Sequence, residues 1–206
     1  MKTVLLAATL LAAPLLALPA AARAQIAPPD ANPADVKAGT YQVEPTHTRI
    51  LFAVSHMGFT TWYGEFTGAS GSLTIDPKHL AATSFDIIIP ADSVTTTNTK
   101  LDGELNSPKW FDTAKYPTIE FKSDRLVRIS HDKALVTGEL TFHGVTRPES
   151  LTVTFNAAGV NFLTKQYTAG FNATGELKRS DFNQSTYVPL IGDDVTLTIS
   201  AAFVQP

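Results

Sequence analysis

The side chains best suited to chemistry in this sequence are five histidines, His47, His56, His79, His131 and His143, and a scatter of serines and aspartates. Two imidazoles reach one metal ion when they stand two residues apart on a strand or four apart on a helix, and no histidine pair here has either spacing. The pattern argues against a metal centre. Hydrolysis through a serine needs a base and an orienting acid around an exposed nucleophile, and no glycine-flanked nucleophile elbow is present. Asp181, Asp193 and Asp194 are more simply turn residues, because aspartate bonds its own backbone at loop positions. The chain has no cysteine, which excludes disulfides, thiolate metal sites, cysteine catalysis and a cysteine-linked lipid anchor. No enzymatic activity is expected. His56 shares a strand face with Phe52 and Val54 and reads as a satisfied core histidine or as a polar contact for a ligand headgroup, whereas His79 and His131 fall in loops.

The elements that would position these residues are strands with a period of two. Ile50, Phe52, Val54 and His56 alternate with Arg49, Leu51, Ala53 and Ser55, and Phe66, Leu73 and Ile75 follow on a glycine-bent run from Trp62. Phe85, Ile87 and Ile89 form a strand that Pro90 ends. Val136, Gly138, Leu140 and Phe142 share a face after a hairpin at Ser130–Lys133, and Gly144 to Pro148 reads as a turn. Leu151, Val153 and Phe155 come next, then Ala169, Phe171, Ala173, Gly175 and Leu177, and finally Val195, Leu197, Ile199, Ala201 and Phe203. About eight one-sided strands allow a closed antiparallel barrel or a two-sheet sandwich. The small residues on the inward faces, which leave room inside, favour the barrel. Glu65, Glu120, Lys122, Glu139 and Glu176 on the outward faces argue against a barrel in lipid.

One stretch breaks the alternation. Leu101 and Leu105 stand one helical turn apart, Pro108 ends the helix near Ser107, and Trp110 and Phe111 follow before the strand at Ile119 and Phe121. The helix is either a lid over an apolar interior or an ordinary surface helix packed on the outside.

Lys2, an apolar run from Val4 to Leu18 and Ala22-Arg23-Ala24 make residues 1–24 a secretory signal with cleavage expected after Ala24, so the expected location is the periplasm or the medium. Loss of Lys2 and Arg23 takes the formal charge from -3 to -5 and leaves no basic cluster, which argues against nucleic acid as a partner. Residues 25–39, with Pro28, Pro29 and Pro33, read as a flexible lead-in. Residues 40–206 then form one domain.

Several short motifs, in this order and spacing, resemble the YceI-like family of bacterial lipid-binding proteins over roughly Thr40 to Val204. They are YQVEPTHT at 41–48 with Phe52 and His56, NSPKWFD at 106–112, YPTIEF at 116–121, VTGELT at 136–141 with GVTRP at 144–148, and RSDF at 179–182. The resemblance implies an all-β fold, an antiparallel eight-stranded lipocalin-like barrel with a short helix near the opening. It also implies a long apolar ligand, a polyprenyl chain, an isoprenoid quinone or a fatty-acid derivative, with no other cofactor. On that basis the expected pocket lining is Phe52, Val54, His56, Phe66, Phe85 and Ile87 from the first half of the chain. Leu101, Leu105, Trp110, Phe111 and Phe121 come from the helix and the strand after it, and Leu140, Phe142, Phe171 and Phe182 from the remainder. His47, His56 and Trp110 match positions that recur in the family.

Where the family often carries an arginine and a histidine in the short helix, this chain has Leu101 and Glu104, which argues against a diphosphate headgroup and for a neutral quinone, amide or prenol. Asn183 stands where glycine commonly follows, a substitution asparagine tolerates at positive φ. The competing expectation is a structural or interaction module that partners a membrane quinone enzyme without carrying lipid. A homodimer is a further possibility for a barrel with exposed strands.

Overall fold

The computed structural model describes residues 28–206. The leader and its cleavage site lie outside the described residues. Among the described residues there are nine strands, β1 (Gly39–His56), β2 (Thr60–Phe66), β3 (Ser70–Ile75), β4 (Ser84–Pro90), β5 (Thr118–Arg128), β6 (Lys133–Phe142), β7 (Val145–Val160), β8 (Tyr167–Lys178) and β9 (Ile191–Val204). One helix, α1 (Thr99–Asn106), lies between β4 and β5.

Nine strands make eight staves. β3 pairs with the first part of β1, from Gly39↔Ile75 to Gln42↔Ser72, and β2 pairs with its last part, from Ile50↔Phe66 to His56↔Thr60. β2 and β3 are therefore one strand broken at Thr67–Ala69, where Gly68 takes φ +67°. The other edge of β1 pairs with β9, from Gln42↔Val204 to Val54↔Val195, and closes an all-antiparallel barrel. Closure leaves no long free edge, which is the physical advantage of a barrel over an open sheet. The sandwich is not formed.

Two expectations are corrected here. The turn expected from Gly144 to Pro148 is only His143-Gly144, both at positive φ, and Arg147 and Pro148 already pair with Leu140 and Glu139. Pro148 is tolerated because this part of β7 has no partner on its other side; the β7–β8 ladder begins only at Thr152↔Thr174. The described part of the lead-in is docked rather than free. Asp30 pairs with Ala158, Asn32 caps a turn at Pro33–Asp35, and Val36 is buried in the core beneath the barrel. Tyr41 is fully buried and donates its hydroxyl proton to the Lys37 carbonyl at 2.6 Å, which holds this segment to β1. Burial, then the neighbouring Tyr167, pushes the Tyr41 phenol up to about 12.

On the outer wall Glu120, Lys122, Glu139 and Glu176 are exposed, as the alternation demands. Among the described residues no helix is long and apolar enough to cross a membrane.

Candidate functional site

The strands pack their inward rows into two aromatic layers. At the end where the chain enters, Phe171 meets Phe85, Phe155 and Phe203 edge to face at ring-centroid distances of 6.3, 5.5 and 5.8 Å. At the opposite end Phe111 lies 5.9 Å from Phe66 and 5.2 Å from Phe142, and Phe142 is 6.0 Å from Phe182. Such contacts each add about 0.5–1.5 kcal/mol beyond area burial and fix ring positions. Between the layers is a cavity of about 250 Å³. An apolar cavity of roughly 150 Å³ already admits benzene and stays dry. This one is larger and walled almost throughout by aliphatic and aromatic side chains.

Helix α1 closes the upper end, and its local sequence explains why it forms there. β4 covers β3 but not β2, whose outer edge meets only a single bridge, Glu65↔Thr95. The segment after β4 fills that space. The Asn98 side chain accepts from the N–H groups of Lys100 and Leu101, both at 3.2 Å, and Asp102 accepts from the Thr96 N–H and hydroxyl, both at 2.7 Å. The Asn98 bonds satisfy orphan donors at the helix start, and the Asp102 bonds fix the segment that leads into it. Ser107 ends the helix before Pro108. Leu105 points down into the cavity, and the turn that follows, held by the Phe111 N–H to the Leu105 carbonyl at 2.9 Å, delivers Trp110 and Phe111 to the same roof. The helix is a lid.

The roof is locked from the other side by Arg179, which is only 7% exposed. Its guanidinium donates to four main-chain carbonyls, those of Gly192, Gln184, Thr186 and Ile191, at 2.5–2.9 Å. The group also lies 5.8 Å from the Trp110 ring centre. Burial lowers the arginine's pKa, with Asp193 opposing. Asp193 in turn accepts from the Ser180 N–H and hydroxyl at 2.9 and 2.7 Å, and Asp194 pairs with Lys178 at 2.5 Å. Two of the three aspartates considered for hydrolysis thus hold the loop between β8 and β9. Gln184, 3% exposed, ties that loop to the lid through its Nε2, which donates to the Trp110 carbonyl at 3.0 Å.

Of the residues expected to line the pocket, Phe52, Val54, Phe66, Phe85, Ile87 and Leu105 do line the cavity, as do Trp110, Phe111, Phe121, Leu140, Phe142 and Phe171. His56, Leu101 and Phe182 do not. His56, the last residue of β1, keeps the face of Phe52 and Val54, paired with Thr60 and Ile191, but lies past the cavity, its ring 5.8 Å from that of Trp62. Leu101 packs on the core one helical turn from Leu105, and Phe182 is wholly buried behind Phe142. His47 stands outside the barrel, bonded to Glu44 in the bulge of β1. Among the described residues no group of three or more histidines and acids is placed to hold a metal ion.

A model of the YceI-like domain matches residues 41–203, which is most of the chain and all nine strands but for their outermost residues. The chain belongs to the YceI-like family. It is 35% identical to protein YceI of Escherichia coli over 170 residues, covering 82% of this chain and 88% of that protein. Among solved structures, BcnA of Burkholderia cenocepacia aligns at TM-score 0.68 and 23% identity, over 75% of this chain and 95% of that one. A polyisoprenoid-binding domain from Saccharophagus degradans aligns at TM-score 0.61 and 16% identity, over 82% of this chain and all of that one. At such identities these two structures show a shared fold.

The YceI-like cavity also takes residues that alternation had placed inward without assigning them to a pocket, such as Ile50, Leu151, Val153, Ala173, Leu197 and Ile199. Seven polar residues, Thr48, Glu149, Ser150, Asn172, Glu176, Arg179 and Gln184, line it as well. Arg179 and Gln184 come from the irregular segment between β8 and β9, where no periodicity marks a side chain as inward.

Between β7 and β8 the wall is incomplete at the lid end. β7 runs on to Val145 and β8 to Lys178, yet no residue before Thr152 pairs with β8. Glu149, Ser150 and Leu151 on one side and Glu176 and Leu177 on the other border the cavity along this seam.

Proposed function

We propose that this protein is an exported binding and carrier protein that holds one long apolar lipid, of isoprenoid or acyl type, inside its barrel. The observation that carries the reading is the apolar cavity of about 250 Å³ between two aromatic layers in a barrel whose outer wall is charged. Such a molecule has no stable place in water. Burying about ten CH₂ groups is worth roughly 8 kcal/mol before the cost of association, so the cavity can hold a chain with little help from polar contacts. The family and the polyisoprenoid-binding relative support the ligand class, and the leader at residues 1–24 supports a periplasmic setting. In this reading the lipid enters through the β7–β8 seam, and α1 stays shut.

Trp110 provides the test. The chain has two tryptophans, so Trp62→Phe leaves Trp110, on the cavity roof, as the single reporter. Titration with a short polyprenol should shift or quench its emission with one-to-one saturation. An emission spectrum that ignores polyprenols, isoprenoid quinones and fatty amides alike contradicts the reading.

A further inference from the structure

The cavity has a floor, and part of that floor is one side chain thick. Below the lower aromatic layer Tyr41, Leu73 and Ala169 are fully buried and plug part of the barrel. On one side the plug is incomplete. A second cavity of about 90 Å³ lies there, walled by Leu73, Ile75, Leu126, Ala134 and Phe155 and by Val36 of the lead-in. Phe85, Val153 and Phe171 border both this cavity and the upper one, so their side chains are what separates the two spaces. Phe171 is the centre of the partition. Of the four rings in the layer it is the one that meets all three others, Phe85, Phe155 and Phe203. It lies on the inward row of β8 yet is only partly buried, because its ring borders both spaces.

With entry at the seam, the polar end of a lipid stays near the lid and its far end runs toward the floor. Every CH₂ group buried on the way strengthens binding by about fourfold. A chain that reaches Phe171 finds no further apolar space, and each added carbon has to stay outside at the seam. The lower cavity is walled mainly by apolar side chains. It has room for about three carbons, taking each as about the size of a water molecule, whose share of liquid volume is about 30 Å³. The ring of Phe171 keeps the chain out of that room.

We propose that Phe171 is the floor of the lipid site and fixes the length of chain that the barrel accepts. The proposal rests on the cavity being a lipid site, and its test separates the two. Unaltered protein is offered primary alcohols from octanol to eicosanol, in pairs that differ by a single carbon, and relative occupancy is read by native mass spectrometry. The longer member of a pair should lead by about fourfold up to one length, and the two should bind alike beyond it. In Phe171→Ala that limit should move to longer chains by about three carbons. Adding Ala134→Leu refills the lower cavity and should bring the limit back toward shorter chains, which a barrel merely loosened by loss of the ring would not show. Because alanine in a packed layer lowers stability, Phe171→Leu is run beside it. Leucine keeps an apolar side chain in the layer and should move the limit the same way by a smaller step. A limit at the same length in the unaltered protein and both single variants, or a gain that Ala134→Leu leaves intact, overturns the assignment of the floor. So does a series that shows no limit up to eicosanol. Each of these leaves the lipid site standing, whereas no occupancy by any alcohol overturns both.

Discussion

Gly64→Ala separates the cavity from the stability of the wall around it. Gly64 on β2 pairs with Phe52 on β1, and the Phe52 ring lies over the glycine. A Cβ placed at residue 64 would come 2.3 Å from Cζ of that ring. Ordinary carbon contact begins near 3.5 Å, so the ring tip has to withdraw by about 1.2 Å or more. Phe66 stands on one side at 5.6 Å between centroids, and the cavity is on the other. The ring therefore swings inward. An off-rotamer torsion costs about 0.5–1.5 kcal/mol, part of which alanine returns by restricting the unfolded backbone, so the empty protein should lose about 1 kcal/mol or less. A ring pushed into the cavity takes the place of one or two CH₂ groups of the bound chain, about 0.8 kcal/mol each, or roughly a tenfold rise in Kd for hexadecanol. Urea unfolding of the empty protein and calorimetric titration with hexadecanol measure the two effects separately. Gly138→Ala is the contrast, since its Cβ would lie 2.4 Å from the Lys122 carbonyl oxygen and 2.7 Å from the Ser123 Cα, backbone that cannot swing aside. It should cost roughly 3 kcal/mol or more. If Gly64→Ala binds hexadecanol as tightly as the unaltered protein, Phe52 does not face the ligand. If it is as destabilised as Gly138→Ala, the empty volume is not available to the ring, and the reasoning fails.

Three further outcomes are expected. Arg179→Met removes the cation and strands four main-chain carbonyls, which should lower stability by about 3 kcal/mol and the melting temperature by roughly 6–12 °C, with protease cleavage first appearing between residues 183 and 190. Glu44 is pushed up by burial, but hydrogen bonds from the side chains and main-chain N–H groups of Thr46 and His47 outweigh that and hold its carboxyl down to about 2. Its folded pKa lies below the unfolded one, so its contribution is full above about pH 4.5 and is lost as the pH falls toward 2. Urea unfolding should show Glu44→Gln less stable by on the order of 2 kcal/mol at pH 7, with the gap closing across that window. Because the chain has no cysteine, a Ser150→Cys, Glu176→Cys pair forms the single possible disulfide across the β7–β8 seam. The oxidised protein should exchange bound hexadecanol at least tenfold more slowly than the reduced one, and equal rates would place the entrance elsewhere.

The barrel was legible because its inward rows obey a period of two, most cleanly in Val195, Leu197, Ile199, Ala201 and Phe203, all of which line the cavity. The lid was legible as a helix from Leu101, Leu105 and Pro108, but its place was not. Whether a short amphipathic helix covers an opening or an outer face depends on which strand edges lie bare, and here that is decided by β4 stopping short of β2. His56 misled because alternation tells the face of a residue and not its depth, and at the end of β1 it shares the face of Phe52 and Val54 yet lies past the cavity, beside Trp62. Arg179, although it opens the RSDF motif, and Gln184 gave no sign of facing inward, since a side chain in an irregular loop has no period, and its burial comes from the residues packed above it. The lead-in misled by composition. Prolines and alanines suggest a tether, yet one valine placed to fill the barrel's lower end is enough to dock it.

The central claim, that the barrel carries a long apolar lipid, is tested most directly by native mass spectrometry of the protein purified without detergent from the periplasm of its own cells, followed by organic extraction. The account predicts one prenyl or acyl molecule per barrel. Protein that emerges empty, and stays empty when offered prenols, quinones and fatty amides, would contradict it.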